Sequence, residues 1–197
     1  MFILQFAILI YSIILHEIAH GWIADKLGDP TARLSGRLTL NPVSHIDPIM
    51  TILLPMVLVI TGSSLVFGAA KPVPIDPYNF KDPKKDIAIT SAAGPLTNLL
   101  IALFFGILVR LGLDFNSLFI YGAVINVFLA IFNLLPIPPL DGFKVVGGIL
   151  PDDYARTWLS FERMGLTFII IVLLFFGSIV SLIINPISRT ILKIILP

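Results

Sequence analysis

The residues His16-Glu17-Ile18-Ala19-His20 match the pattern H-E-x-x-H. On a helix, positions i and i+4 share a face, so His16 and His20 can bind one metal ion through their ring nitrogens. Glu17 sits about 100° further round the same helix. Its carboxylate can reach a water activated by that metal, take its proton, and later deliver it to a leaving amine. Zinc suits imidazole and carboxylate ligands, needs no redox chemistry, and brings the pKa of bound water towards ~7. Short motifs also arise by chance. This one sits at the end of an apolar stretch, where each ionisable residue costs roughly 2.5–3.5 kcal/mol on insertion scales. Three of them together point to function.

A catalytic zinc wants a third protein ligand and an open position. The candidates are His45 and the carboxylates close to apolar stretches. Asp141 stands out because it lies in NLLPIPPLDG (133–142), directly after such a stretch. Pro136, Pro138 and Pro139 stiffen that loop, and Gly142 permits a tight turn before the next element. The plain alternative is that Asp141-Gly142 is an ordinary turn. His45, in NPVSHIDP, either serves the active site or is a polar loop histidine; it becomes a ligand candidate only if Asp141 fails.

The elements that must position these residues belong in lipid. Of the 197 residues 57% are hydrophobic and only 13% charged, where a soluble domain carries about 25%. Fifteen Phe suit lipid-facing helices, and fifteen Pro predict broken helices and ordered loops. The chain has no Cys, which excludes disulfides and thiolate ligands. A net charge of +1 gives no reason to expect nucleic acid as a partner. Residues 1–15 are apolar without a preceding Lys or Arg or a small-residue cleavage site, so they read as a retained helix and not a signal peptide.

Residues 2–26 are long enough to span a ~30 Å hydrocarbon core and end at the turn cluster Gly28-Asp29-Pro30. The loose alternation of 31–41 predicts short strands, a hairpin at the membrane boundary. Residues 48–62 are apolar but short, with Pro55 inside, so they either cross a thin membrane or re-enter and turn back. The run KPVPIDPYNF has prolines that favour extended backbone, which predicts an ordered loop. Further spans are expected at 87–111, 117–135 and 164–184, with a short apolar run at 143–150. The expected fold is therefore an all-α polytopic membrane protein. It has about four full transmembrane helices, one short re-entrant or extra segment, and short boundary strands. Residues 1–197 read as one integral membrane domain.

HEIAH, AGPLTN and NLLPIPPLDG, in this order, resemble the three signature motifs of the site-2 protease family of intramembrane metalloproteases. GRLTLNPVSHIDP and FGAAKPVPIDPYNF are similar to the compact branch without PDZ or CBS domains. The resemblance covers roughly residues 12–145. It implies a zinc site of His16, His20 and Asp141, with Glu17 as the catalytic acid–base group. It places the family's Asn, eight residues before the aspartate, at Asn133. That amide can donate to the scissile carbonyl, where negative charge develops, or simply cap the helix before Pro136. It also implies a role near the substrate for Asn98, for which the alternative is an interhelical hydrogen bond.

Bringing the three motifs together requires residues 25 to 86 to begin and end on one side of the membrane. Ten of the thirteen basic residues then share the active-site side: Lys26, Arg33, Arg37, Lys71, Lys81, Lys84, Lys85, Lys144, Arg156 and Arg163. Positive-inside bias makes that side cytoplasmic, in the cell membrane. The expected function is cleavage of transmembrane protein substrates in or near their membrane segments. Two other classes are a membrane metal transporter, with the same side chains lining an ion path, and a catalytically silent binding protein. Concentration of the ligands at one depth argues against the first, and the intact Glu17 against the second.

Overall fold

The structure is a computed structural model and describes residues 1–53, 56–57, 60, 68 and 70–197. Its helices are α1 (Phe2–Leu27), the single turn α2 (Thr31–Leu34), α3 (Pro83–Arg110), α4 (Asn116–Asn133), α5 (Asp141–Ile149), α6 (Asp152–Ser160) and α7 (Gly165–Ile195). Four of them are long and apolar enough to cross a membrane: α1, α3, α4 and the Phe175–Ile195 part of α7. The all-α polytopic fold is the one expected, with span boundaries displaced by a few residues. The exception is α7. It runs through Pro186 to Ile195, well beyond the expected end at 184.

Each helix end has a local cause. Gly28 takes φ 115°, a left-handed conformation that glycine adopts without strain, and the chain closes α1 with Asp29 N–H donating to Ala24 O at 2.9 Å. Asp82 caps α3 by accepting from the Lys85 amide, with Pro83 at the first helical position. At the far end of the bundle Arg110 donates to the Ile195 and Ile194 carbonyls at 3.1 and 2.7 Å, closing the C-terminus of α7.

The topology follows from contacts. His16 meets Asn98 and His20 meets Thr90, so α1 and α3 run antiparallel. The end of α1 and the start of α3 therefore lie on one side, as the motifs require. Helix α4 returns antiparallel to α3, and α7 packs on α4 through Val127, Ile131, Val180 and Ile184. Lipid gives helices no hydrophobic reason to associate, so close packing of small residues has to do it. Ala93, Ala102, Ala123 and Ala130 are buried where α3 and α4 lie in the bundle. A Cβ on Gly122 would fall 2.6 Å from the Phe105 ring.

The strands expected over 31–41 do not form among the described residues. Pro30 and the Asp29 side chain start a helical turn instead, with Asp29 Oδ1 accepting from Thr31 N–H at 3.1 Å. Leu34 and Arg37 then donate to the Pro30 and Ala32 carbonyls, so local turns satisfy backbone groups that a ladder would need. Gly36, at φ 65°, reverses the chain between them. Of the short 48–62 segment, Pro48–Leu53 is a helical turn and most of the rest lies outside the described residues.

Asp29 joins this layer together. Fully buried, it also accepts from the Thr31 hydroxyl, from Asp76 N–H at 2.8 Å and from Asn79 Nδ2 at 2.8 Å. Burial pushes its carboxyl up, but the hydrogen bonds from Thr31, Asn79 and Asp76 outweigh that and hold it below the ordinary carboxylate range. The end of α1 is thereby fastened to the segment that leads into α3.

Candidate metal centre and active site

His16 and His20 both face α3 and are each 7% exposed. His16 Nδ1 lies 2.6 Å from Asn98 Oδ1, and His20 Nδ1 lies 2.7 Å from the Thr90 carbonyl. Both partners are acceptors, so each neutral ring carries its proton on Nδ1 and turns the Nε2 lone pair the other way. Those two lone pairs point at each other, 3.0 Å apart. Asp141 Oδ2 joins them, 3.1 Å from His16 Nε2 and 3.3 Å from His20 Nε2. This oxygen is buried and has no hydrogen-bond donor among the described residues.

Three electron-pair donors that close together repel unless a cation sits among them. A tetrahedral zinc with ligands at about 2.0–2.1 Å spaces them about 3.3 Å apart. The observed spacing fits that ion, and the set of two imidazoles and one carboxylate is of the type that zinc takes. The three side chains form the group that could hold a metal among the described residues.

The backbone is shaped to admit this site. A Cβ on Gly94 would fall 2.6 Å from His16 Cε1 and Nε2, and nearer still to His20 Nε2. Only glycine lets α3 pass this close to the Nε2 edges of the two rings. Pro95 follows and cannot donate to the Ser91 carbonyl, which interrupts the helical ladder at the turn where His20 uses Thr90 O. Asp141 is placed by a second close approach. A Cβ on Gly142 would stand 2.7 Å from Leu135 O and closer to Leu134 O, so the start of α5 rests on the end of α4. Behind it, Phe143 stacks on Trp158, whose indole N–H donates to Phe143 O at 2.8 Å. Helix α6 thus braces α5.

Glu17 is half-buried beside this cluster, and its Oε2 accepts from Val73 N–H at 2.8 Å. Pro72 and Pro74 have no N–H and hold their neighbours extended, so Val73 offers the sole backbone donor of that run to Glu17. The segment is pinned further along: Arg37 Nη2 donates to Lys71 O at 2.7 Å, and Lys71 N–H to His45 O at 2.9 Å. His45 stays in this layer, its Nε2 bonded to Thr39 O at 2.9 Å, and it is not among the three converging groups.

Asn98 is fully buried behind His16. Asn133 ends α4 with its amide donating to Leu129 O at 2.9 Å, one residue before the carbonyl on which Gly142 rests. Sequence reading missed the Val73 amide and the Thr90 carbonyl, because backbone groups leave no signal in side-chain types. It also missed Ser12 and Asn126. Their signal was available: polar residues inside apolar spans.

Depth completes the description. His16 stands eleven residues before the end of α1, about 16 Å along the axis. The cluster therefore lies part-way along the bundle, between α1, α3 and the start of α5, with the 71–74 segment reaching in to Glu17. A helical membrane bundle with a buried three-donor metal centre and an adjacent carboxylate defines a membrane metallopeptidase.

Known proteins agree with that class. Residues 110–177 match peptidase family M50. YwhC of Bacillus subtilis is 37% identical over 193 residues, covering 90% of this chain and 82% of that protein. Rip2 of Mycolicibacterium smegmatis is 30% identical over 178 residues, covering 88% and 67%. MJ0611 of Methanocaldococcus jannaschii is 46% identical over 88 residues, 42% of this chain and 46% of that one. All three carry provisional zinc metalloprotease names. No solved structure matches the chain. The chain belongs to peptidase family M50, the site-2 proteases that its motifs resemble.

Proposed function

We propose that this peptidase is a zinc-dependent intramembrane endopeptidase that cuts other membrane proteins in or beside their transmembrane segments. The convergence of His16 Nε2, His20 Nε2 and Asp141 Oδ2 at 3.0–3.3 Å carries the reading. These three groups would hold the metal. When bound there, zinc acidifies a water and polarises the scissile carbonyl.

Glu17 takes the proton of the attacking water and passes it to the leaving amine. The Val73 amide holds Oε2 and leaves Oε1 for that transfer. Asn133 turns its amide from Leu129 O to the scissile carbonyl as negative charge develops there. Asn98 orients His16 instead of touching substrate, since it has no exposed surface. The depth of His16 supports substrates that are themselves membrane segments. These must unwind to expose a peptide bond, because a helix shields its own. The basic residues gathered on the loop side support a cytoplasmic active-site face in the cell membrane.

The test uses the purified chain with a model transmembrane substrate. Glu17→Gln should cut at least about 100-fold more slowly while keeping one zinc per chain. Asp141→Ala should lose zinc and activity together, and His45→Ala should keep its zinc. Near wild-type cleavage by Glu17→Gln would sink the mechanism, and zinc retained by Asp141→Ala would move the third ligand elsewhere.

A further inference from the structure

Ser12, Asn98 and Asn126 are polar residues within membrane-spanning helices, 2%, 0% and 0% exposed. Only Asn98 touches a ligand of the proposed metal centre. We propose that Asn126 is a positioning residue for that centre: it fixes the orientation of the Asn98 amide, and through it the tautomer of His16. The inference rests on His16 being a ligand.

The relay has a direction. Asn126 Nδ2 donates to the Gly122 carbonyl at 2.9 Å and to Ser12 Oγ at 2.8 Å. A carbonyl can only accept, so the amino end of Asn126 is bound to that side and its Oδ1 faces Asn98. Asn98 Nδ2 donates to this Oδ1 at 2.9 Å and approaches the Ser12 carbonyl at 3.4 Å. Asn98 Oδ1 is thereby left for His16 Nδ1, at 2.6 Å. The ring must then carry its proton on Nδ1 and present a bare Nε2 to the metal.

Reversing the Asn98 amide shows what the relay prevents. Its NH2 would then face His16 Nδ1, and the ring would have to move its proton to Nε2, directly into the metal position. Asn98 Oδ1 would meanwhile face two acceptors, Asn126 Oδ1 and Ser12 O, with no donor between them. Without Asn126 the second penalty largely disappears, and the amide is free to adopt the orientation that blocks the ligand. Asn98 and Asn126 are both fully buried, so no bulk water is at hand to correct it.

The experiment measures zinc affinity by chelator competition on the full purified chain in detergent. Asn126→Leu and Asn126→Ala should each bind zinc about 10- to 100-fold more weakly. A carboxylate accepts through both oxygens, so Asn98→Asp has no orientation to lose. In the Asn98→Asp background the second carboxylate oxygen faces Asn126 Oδ1, so Asn126→Leu removes a repulsion there and should leave zinc affinity unchanged or raise it. Equal losses in both backgrounds would make Asn126 a packing residue and overturn the proposal, as would an unchanged affinity in either single variant at Asn126. Wild type and His16→Ala are run alongside. A wild type that binds no zinc, or a His16→Ala that binds it normally, defeats the ligand assignment itself.

Discussion

Helices α3 and α7 are alike on paper and opposite in use. They have 28 and 31 residues, each contains one internal proline, Pro95 or Pro186, and each has an apolar stretch long enough to span a membrane. In α3, 39% of that stretch is buried; in α7, 11%. The buried face of α3 is made of small and polar residues, Thr90, Ser91, Ala93, Gly94 and Asn98 among them. Helix α7 turns Phe175, Phe176, Ile179 and Leu182 outwards. Apolar content says that a helix enters lipid. Small and polar residues say which helix other helices close around, because packing and hydrogen bonds drive association there.

The glycines sharpen this contrast most. Gly94→Ala puts a methyl group within 2.6 Å of the His16 ring, against two imidazoles that their Nδ1 hydrogen bonds to Asn98 and Thr90 hold in place. It should lower zinc affinity and proteolysis by at least about 100-fold, comparable with loss of a residue that orients a ligand. Metal analysis together with a cleavage assay checks it. A normal zinc content would show that α3 does not seat the rings as described.

A smaller effect is expected where the two helices meet. Arg110→Met removes both hydrogen bonds to the last carbonyls of α7. The cost should be about 0.3–1 kcal/mol, the usual worth of a cation at a helix C-terminus. The unfolding temperature in detergent should fall slightly, with zinc affinity unchanged. Zinc loss here would mean that α7 helps to hold the centre.

Gly177→Ala is the counterpart in α7 and should do least. A Cβ there meets nothing within 4 Å, and alanine favours a helix over glycine by roughly 0.5–1 kcal/mol. Stability should stay the same or rise, with cleavage at wild-type rate. A strong loss of activity would place a partner or substrate against this face.

Much of the centre was legible in the chain. The i, i+4 spacing puts His16 and His20 on one face, and the stiff loop before Asp141 marks that carboxylate out from the others. Residues 31–41 show the limit. Their alternation is too short to separate a strand from a turn, and Asp29, outside the window, decides the matter by accepting from the Thr31 amide. Asn98 was open between substrate and helix contact, and its partners in the fold, His16, Asn126 and Ser12, belong to segments that no local pattern links.

The sequence by itself determined that the chain lives in lipid, where its main spans lie, and which residue types can take a metal. These follow from composition and local periodicity, which need no knowledge of the neighbours. Only the tertiary structure decided that Gly94 makes room for the rings, that the Val73 amide holds Glu17, and that α7 lies at the periphery. Each of these is a contact between segments far apart in the chain. Whether a glycine is a hinge, a close approach or open space depends on what stands opposite it, and no local pattern records that.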